Sequence, residues 1–268
     1  MMSSALLPTL VADRNFVDEA LEQALECPSG PALNPVFKAM RFAVLNGGQR
    51  LRPVLALRIG RMANADVRLV TRGALAIELF HCASLIVDDL PCMDDEMMRR
   101  GQPTVHRQFG EATAVLAAFS LVALAARQAT EGVTCAAEAE RLSCFQQKLL
   151  RVLDCNSLVG GQAMDLASPG GSSRRLAELK TAPLFKLSAR AGLLGSPLDE
   201  PLRRHITKLG LEFGITYQLM DDLNDGHATS RDPFERQLDD TRSLLSHFGS
   251  QSTEISEMLD YLAAKSVS

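Results

Sequence analysis

The sequence predicts one all-α domain covering residues 1–268, a helical bundle around a central apolar cavity. Three observations carry that prediction. Alternating β-branched runs, the mark of strands, are nearly absent. Tryptophan is missing and aromatic residues make up only 5% of the chain. Ala, Leu, Glu, Arg and Gln fill long windows, a composition that favours helix.

In chain order, helices are expected near 15–26, 35–46, 51–63, 67–92, 95–99, 111–129, 135–160, 175–193, 200–225 and 252–265. Turn residues separate them: Pro28-Ser29-Gly30-Pro31 after the first, Gly47-Gly48 after the second, Gly101-Gln102-Pro103 after 95–99, Pro169-Gly170-Gly171 before 175–193, and Gly226 after 200–225. Several helices are apolar on every side, as in "ALAIELFHCASLIV" within 67–92. Such a helix in a soluble protein belongs at the centre of a bundle. No repeat, low-complexity segment or linker divides the chain.

Composition narrows the function. Hydrophobic residues make up 46% of 268, enough for a large core, and the formal net charge of −4 gives no footprint for nucleic acid. Six cysteines (27, 82, 92, 135, 144 and 155) show no C-x-x-C pair or metal-type spacing. They read as reduced, buried thiols of a cytoplasmic protein. The first residues lack the basic and apolar regions of a signal peptide, and no run of ~18 apolar residues suggests a membrane span.

Charge concentrates in two places. "VDDLPCMDDEMMRRGQPT" (87–104) holds Asp88, Asp89, Asp94 and Asp95, followed by Arg99 and Arg100. "YQLMDDLNDG" holds Asp221 and Asp225, at i and i+4 on one helical face, with Asp222 beside them. Like charges at that spacing cost an isolated helix a few tenths of a kcal/mol, roughly 0.2–0.5. Asp88 and Asp95, at i and i+7, share a face if Pro91-Cys92 leaves the helix unbroken. One cluster alone reads equally well as a solvated helix end. Two clusters, each following an apolar helix, read better as facing walls of one pocket. Mg²⁺ suits such walls, as a hard cation held by a few carboxylates plus substrate phosphates. No histidine or cysteine stands in register for zinc, and the glycine and glutamate of a calcium loop are absent.

These motifs resemble the trans-prenyl diphosphate synthase family, closest to its short-chain geranylgeranyl and farnesyl members. "DDLPCMDD" resembles the family's first aspartate-rich motif and "DDLND" its second. "GGQRLRP" (47–53), "RRGQPT" (99–104), "HRQFGEATAVLA" (106–117), "GGQAMDL" (160–166) and "KTAPLF" (180–185) resemble other family segments in order. The resemblance runs from about residue 38 to 226 and implies the isoprenoid synthase type of fold. It also implies a Mg²⁺-assisted condensation of an allylic prenyl diphosphate with isopentenyl diphosphate, in a homodimer. Asp88, Asp89, Asp94 or Asp95, Asp221, Asp222 and Asp225 would hold metal. Arg99, Lys180, Thr181 and Gln218 would meet the allylic diphosphate. Arg52, Arg100 and His81 would meet isopentenyl diphosphate, with backbone approaching phosphate at Gly48.

The pattern departs from the family at four places. Gln49 replaces a phosphate-binding lysine, Val87 a histidine, and Phe119 stands where an aspartate is usual. The lysine-bearing lid after the second cluster gives way to "GHATSRDPFERQ", where His227 and Arg231 could supply cations. For product length, Ala83 and Ser84, one turn below Asp88, are small, and Phe80 is the next large group. That spacing predicts a C20 product, with C15 next. The departures keep two alternatives open: a terpene synthase-like cyclase and a non-catalytic subunit of a synthase.

Overall fold

The computed structural model describes residues 8–26, 34–167, 173–228 and 230–266. The breaks expected at 28–31 and 169–171 lie outside the described residues. The all-α expectation holds. Among the described residues the only strand pairing is a two-residue hairpin, β1 (Met98–Arg99) with β2 (Gln102–Pro103).

The first half runs α1 (Pro8–Ala24), α2 (Pro35–Leu45), α3 (Leu51–Met62), α4 (Val67–Asp88), the hairpin, α5 (Val105–Phe109) and α6 (Glu111–Gln128). The second half runs α7 (Ala136–Leu150), α8 (Leu158–Ala167), α9 (Arg174–Leu176), a π-type turn (Ala177–Thr181), α10 (Ala182–Gly192), α11 (Glu200–Asn224), α12 (Asp232–Leu245) and α13 (Thr253–Lys265). Side-chain caps fix several starts. Asn34 accepts from the Val36 N–H at 2.9 Å, Asp66 from Arg68 at 2.9 Å and Asp199 from Leu202 at 3.0 Å. Pro35 and Pro201 occupy first-turn positions that need no donor.

Helix α4 is the central element and packs on α3, α6 and α10; α10 in turn packs on α3 and α11. Its residues from Gly73 to Phe80 are all buried, as an all-round apolar helix should be. Gly73 allows the close approach of α10, since a Cβ there would lie 2.8 Å from that of Ala191. By length and mean hydropathy alone, α4 (1.5) and α6 (1.2) could each cross a membrane. In the bundle α4 is mostly buried and carries the buried Glu78. Helix α6 keeps a bare apolar stripe: Val115, Leu116 and Phe119 are exposed, Phe119 by 70%.

Several sequence expectations are corrected. The helix expected over 67–92 stops at Asp88, and the one expected at 95–99 is a turn leading into the hairpin. Asp95 has φ 51° and its N–H bonds to the Leu90 carbonyl, so it shares no helix face with Asp88. The helix expected over 135–160 divides into α7, a 3₁₀ turn (Arg151–Leu153) and the start of α8. Helix α12 was not foreseen. Its buried face is Phe234, Gln237, Leu238, Thr241 and Leu245, with two polar residues among the five. Those two are satisfied by partners on α11. Gln237 Nε2 donates to Glu212 at 2.9 Å and Thr241 Oγ1 lies 2.9 Å from Thr216 Oγ1. An apolar-periodicity argument passes over such a face. The cysteines are also corrected: the described ones form no disulfide, but only Cys82 is buried, whereas Cys92, Cys135, Cys144 and Cys155 are exposed.

Candidate active site

One cavity of about 820 Å³ opens between the ends of α4 and α11. Its walls come from the loop before α3, the hairpin, α8 and the π-type turn. Asp88 and Asp94 face Asp221, Asp222 and Asp225 across it. The two aspartate clusters, 130 residues apart in the chain, therefore meet at one site because α4 and α11 both end there.

The carboxylates are under electrostatic load. Burial, then Asp94 and Asp89, push Asp88 up to about 6 despite the opposing pull of Lys180 and Arg99. Burial, then Asp225 and Asp222, push Asp221 up to about 6 as well. A divalent cation would relieve both, and the donors on offer are oxygens, which suits Mg²⁺. Among the described residues no three His, Cys, Asp or Glu side chains converge closely enough to hold a metal unaided. A site of this kind fits a cation completed by substrate oxygens, with Asp88, Asp94, Asp221, Asp222 and Asp225 as the protein's contribution. Asp89 is turned elsewhere. It is buried, its two oxygens accept from Arg99 Nε at 2.6 and 2.9 Å, and Arg99 Nη2 lies 2.6 Å from Oδ1. Asp95 does not line the cavity.

The cations sit on the same walls. Lys180 pairs with Asp165 of α8, and the Thr181 hydroxyl donates to Oε1 of Gln218, whose amide donates to Asp222 at 2.7 Å. Lys180 and Thr181 fall in the π-type turn, a distortion that commonly re-aims side chains at functional sites. Gly161 makes room for it: a Cβ there would come within 2.5 Å of the Lys180 nitrogen. Arg52 stacks its guanidinium 4.6 Å from the Phe185 ring centre and bonds His81 Nε2 at 3.2 Å. Burial and the neighbouring arginines, Arg52 first, hold His81 well below its usual range, so it is neutral and accepts at Nε2. Arg100 donates to the Gly47 carbonyl and lies against Gly48, where a Cβ would fall 2.7 Å from its Cζ. The backbone at Gly48 thus approaches a guanidinium.

Three side-chain atoms in these walls are buried without a partner: Gln49 Oε1, Arg52 Nε and Gln162 Nε2. Each costs about 1–3 kcal/mol when left unpaired. Gln162 and Asp165 were not singled out from sequence, although "GGQAMDL" marks them. Tyr217, one residue before Gln218, also lines the cavity and was missed.

Other expectations are revised. Ser84 lines the cavity, but Ala83 and Phe80 are 3% and 1% exposed and sit in the core. Ala83 lies ~140° around the helix from Asp88, Ser84 only ~40°. Counting depth along the axis ignored that rotation. Phe119, which stands where the family has an aspartate, is on the outer face and does not line the cavity. His227 lines the mouth, whereas Arg231 is held away by the carbonyl and hydroxyl of Ser266 at 2.8 and 3.0 Å.

An all-α bundle with two aspartate clusters facing each other over an arginine- and lysine-lined cavity has the build of the isoprenoid synthase class. The polyprenyl synthetase family model matches residues 34–243, and the chain belongs to that family. It is 38% identical over 208 residues, 74% of its length, to geranylgeranyl pyrophosphate synthase 6, mitochondrial, of Arabidopsis thaliana, and 33% identical over 236 residues to geranylgeranyl pyrophosphate synthase 4 of the same plant. The chain spans 62% and 61% of those two proteins. Among solved structures it resembles an FPP/GFPP synthase from Zymomonas mobilis (TM-score 0.84, 30% identity, 94% of this chain and 96% of that one). It also resembles a geranyltransferase from Legionella pneumophila (TM-score 0.84, 27% identity, 97% and 100%).

Proposed function

We propose that the chain is a short-chain trans-prenyl diphosphate synthase that adds isopentenyl diphosphate to an allylic prenyl diphosphate, with a C20 or C15 product. The observation that carries the reading is one cavity lined both by Asp88, Asp94, Asp221, Lys180, Thr181 and Gln218 and by Gln49, Arg52, His81 and Arg100. The reading assigns the first group to an allylic half and the second to an isopentenyl half.

In the first half Lys180 and Arg99 hold the oxygens of the allylic diphosphate, and Gln218 is oriented toward it by Thr181 and Asp222. The facing aspartates Asp88, Asp94, Asp221, Asp222 and Asp225 would hold Mg²⁺, which would supply positive charge to the departing diphosphate. The allylic C–O bond breaks and leaves a carbocation. Leu85, Leu158, Leu166 and Leu184 line the cavity with hydrocarbon and keep water from that cation. In the second half Arg52 and Arg100 fix the diphosphate of isopentenyl diphosphate so that its double bond faces the cation. A C–C bond forms, the released diphosphate takes a proton from the added unit, and the chain is five carbons longer. Neutral His81 keeps Arg52 aimed at the cavity by accepting from its Nη1.

The homodimer belongs to the same proposal. Val115, Leu116 and Phe119 give α6 an exposed apolar stripe suited to a second copy. The test is an assay of purified protein with Mg²⁺ and an allylic diphosphate, with and without isopentenyl diphosphate. Diphosphates longer by five carbons support the reading. Hydrocarbons or alcohols formed without isopentenyl diphosphate would replace it with a cyclase, and no product would replace it with a non-catalytic subunit.

A further inference from the structure

We infer that Arg50 is the positioning residue of the second-substrate half, and that through it helix α1 helps to hold that half in shape. The inference rests on the proposed two-substrate reading. Arg50 lies between Gln49 and Arg52, immediately before α3, with φ 53°, a left-handed conformation rare for a residue with a side chain. Its side chain is wholly buried and reaches three elements at once. Nε donates to Asp18 of α1 at 2.8 Å, Nη1 to Glu78 of α4 at 2.7 Å, and Nη2 to the Val44 carbonyl of α2. Three bonds from one rigid fork hold the backbone in this conformation.

That turn decides where its neighbours point. Gln49 and Arg52 both enter the cavity, and each keeps one buried polar atom without a partner. His81, which orients Arg52, stands one turn after Glu78 on α4. The Arg50–Glu78 pair therefore ties the loop bearing Gln49 and Arg52 to the helix bearing His81. It has a second effect. Glu78 is itself part of the cavity wall, and its buried negative charge would repel a diphosphate if Arg50 did not neutralise it. The residues assigned to the allylic half, Lys180, Thr181 and Gln218, stand on other elements, and their hydrogen bonds and ion pair run to Asp165, to Asp222 and to one another rather than to Arg50.

The experiment is steady-state kinetics of Arg50→Lys and Asp18→Asn with each substrate varied in turn. An ammonium cannot span three acceptors in the guanidinium plane. For Arg50→Lys we expect the KM for isopentenyl diphosphate to rise about tenfold, against less than twofold for the allylic diphosphate. Asp18→Asn removes one charge at a partly exposed partner and is the second variant that keeps the test decisive should Arg50→Lys fail to fold. We expect a rise of about threefold in the same KM only. Arg50→Gln, which leaves the Glu78 charge unneutralised, should raise the same KM at least as much, and Glu78→Gln in that background should restore part of the loss. Equal changes in both KM values, or lower turnover with both unchanged, would overturn the inference and leave Arg50 a purely structural residue. If the parent chain makes no elongated product, the two-substrate reading fails separately. The same comparison is then made by calorimetric titration of isopentenyl diphosphate, where equal affinity in parent and variants overturns the inference.

Discussion

Asp221 sits where burial and two like charges oppose its ionisation, so the site carries a stability penalty that Asp221→Asn should remove. The structure sets the magnitude. Asp221 rises from an ordinary 3.8 to about 6. At ~1.4 kcal/mol per tenfold change in proton affinity, that amounts to roughly 3 kcal/mol when the group is ionised in both folded and unfolded chains. Partial exposure and solvent screening reduce this to ~1–2 kcal/mol. The sign follows from the raised value. Below about pH 4 both states are protonated and the penalty vanishes. It grows as the pH rises from about 4 to 6 and is complete above that. In EDTA at pH 8, Asp221→Asn should therefore raise the urea midpoint and the Tm, by ~2–8 °C. At pH 4.5 the gain should shrink to about a third. Mg²⁺ with inorganic pyrophosphate should then stabilise the parent more than the variant. An unchanged or lower Tm at pH 8, or a gain equal at both pH values, would refute the reasoning.

Five further outcomes follow from the same geometry. Asp88→Asn should cut turnover at least 100-fold and raise the Mg²⁺ needed for half-maximal rate, without loss of helical circular dichroism. Asp89→Asn should instead raise the KM for the allylic diphosphate with that Mg²⁺ requirement unchanged, because Asp89 holds Arg99 and does not line the cavity. Gln49→Lys should lower the KM for isopentenyl diphosphate several-fold, since a charge-assisted bond to phosphate is roughly twice as strong as a neutral one; an unchanged KM would mean that Arg52 and Arg100 already suffice. Ser84→Phe should shift products toward shorter chains, read by mass spectrometry of the dephosphorylated alcohols. Ala83→Tyr should chiefly overpack the core and lower stability by ~1–3 kcal/mol.

The sequence alone determined the all-helical class, the central place of the helix ending at Asp88, and the pairing of two aspartate clusters. Those properties are local or additive: propensity, all-round hydrophobicity and i, i+4 spacing are written in neighbouring residues. The family motifs brought most cavity residues into view in the same way. What only the tertiary structure decided depended on rotation and on partners distant in sequence. Whether Ala83 or Ser84 meets the cavity is a matter of ~100° of helical turn per residue. Whether Asp89 belongs to a metal or to Arg99 depends on a hairpin that sequence periodicity read as helix. Helix α12 is stabilised on a half-polar face by Glu212 and Thr216 of another helix, so its own residues did not announce it. Arg50 was given no role in the reading of "GGQRLRP". It is the buried link between α1, α2 and α4 because Asp18, Val44 and Glu78 converge on it from three elements, a meeting that no linear spacing encodes.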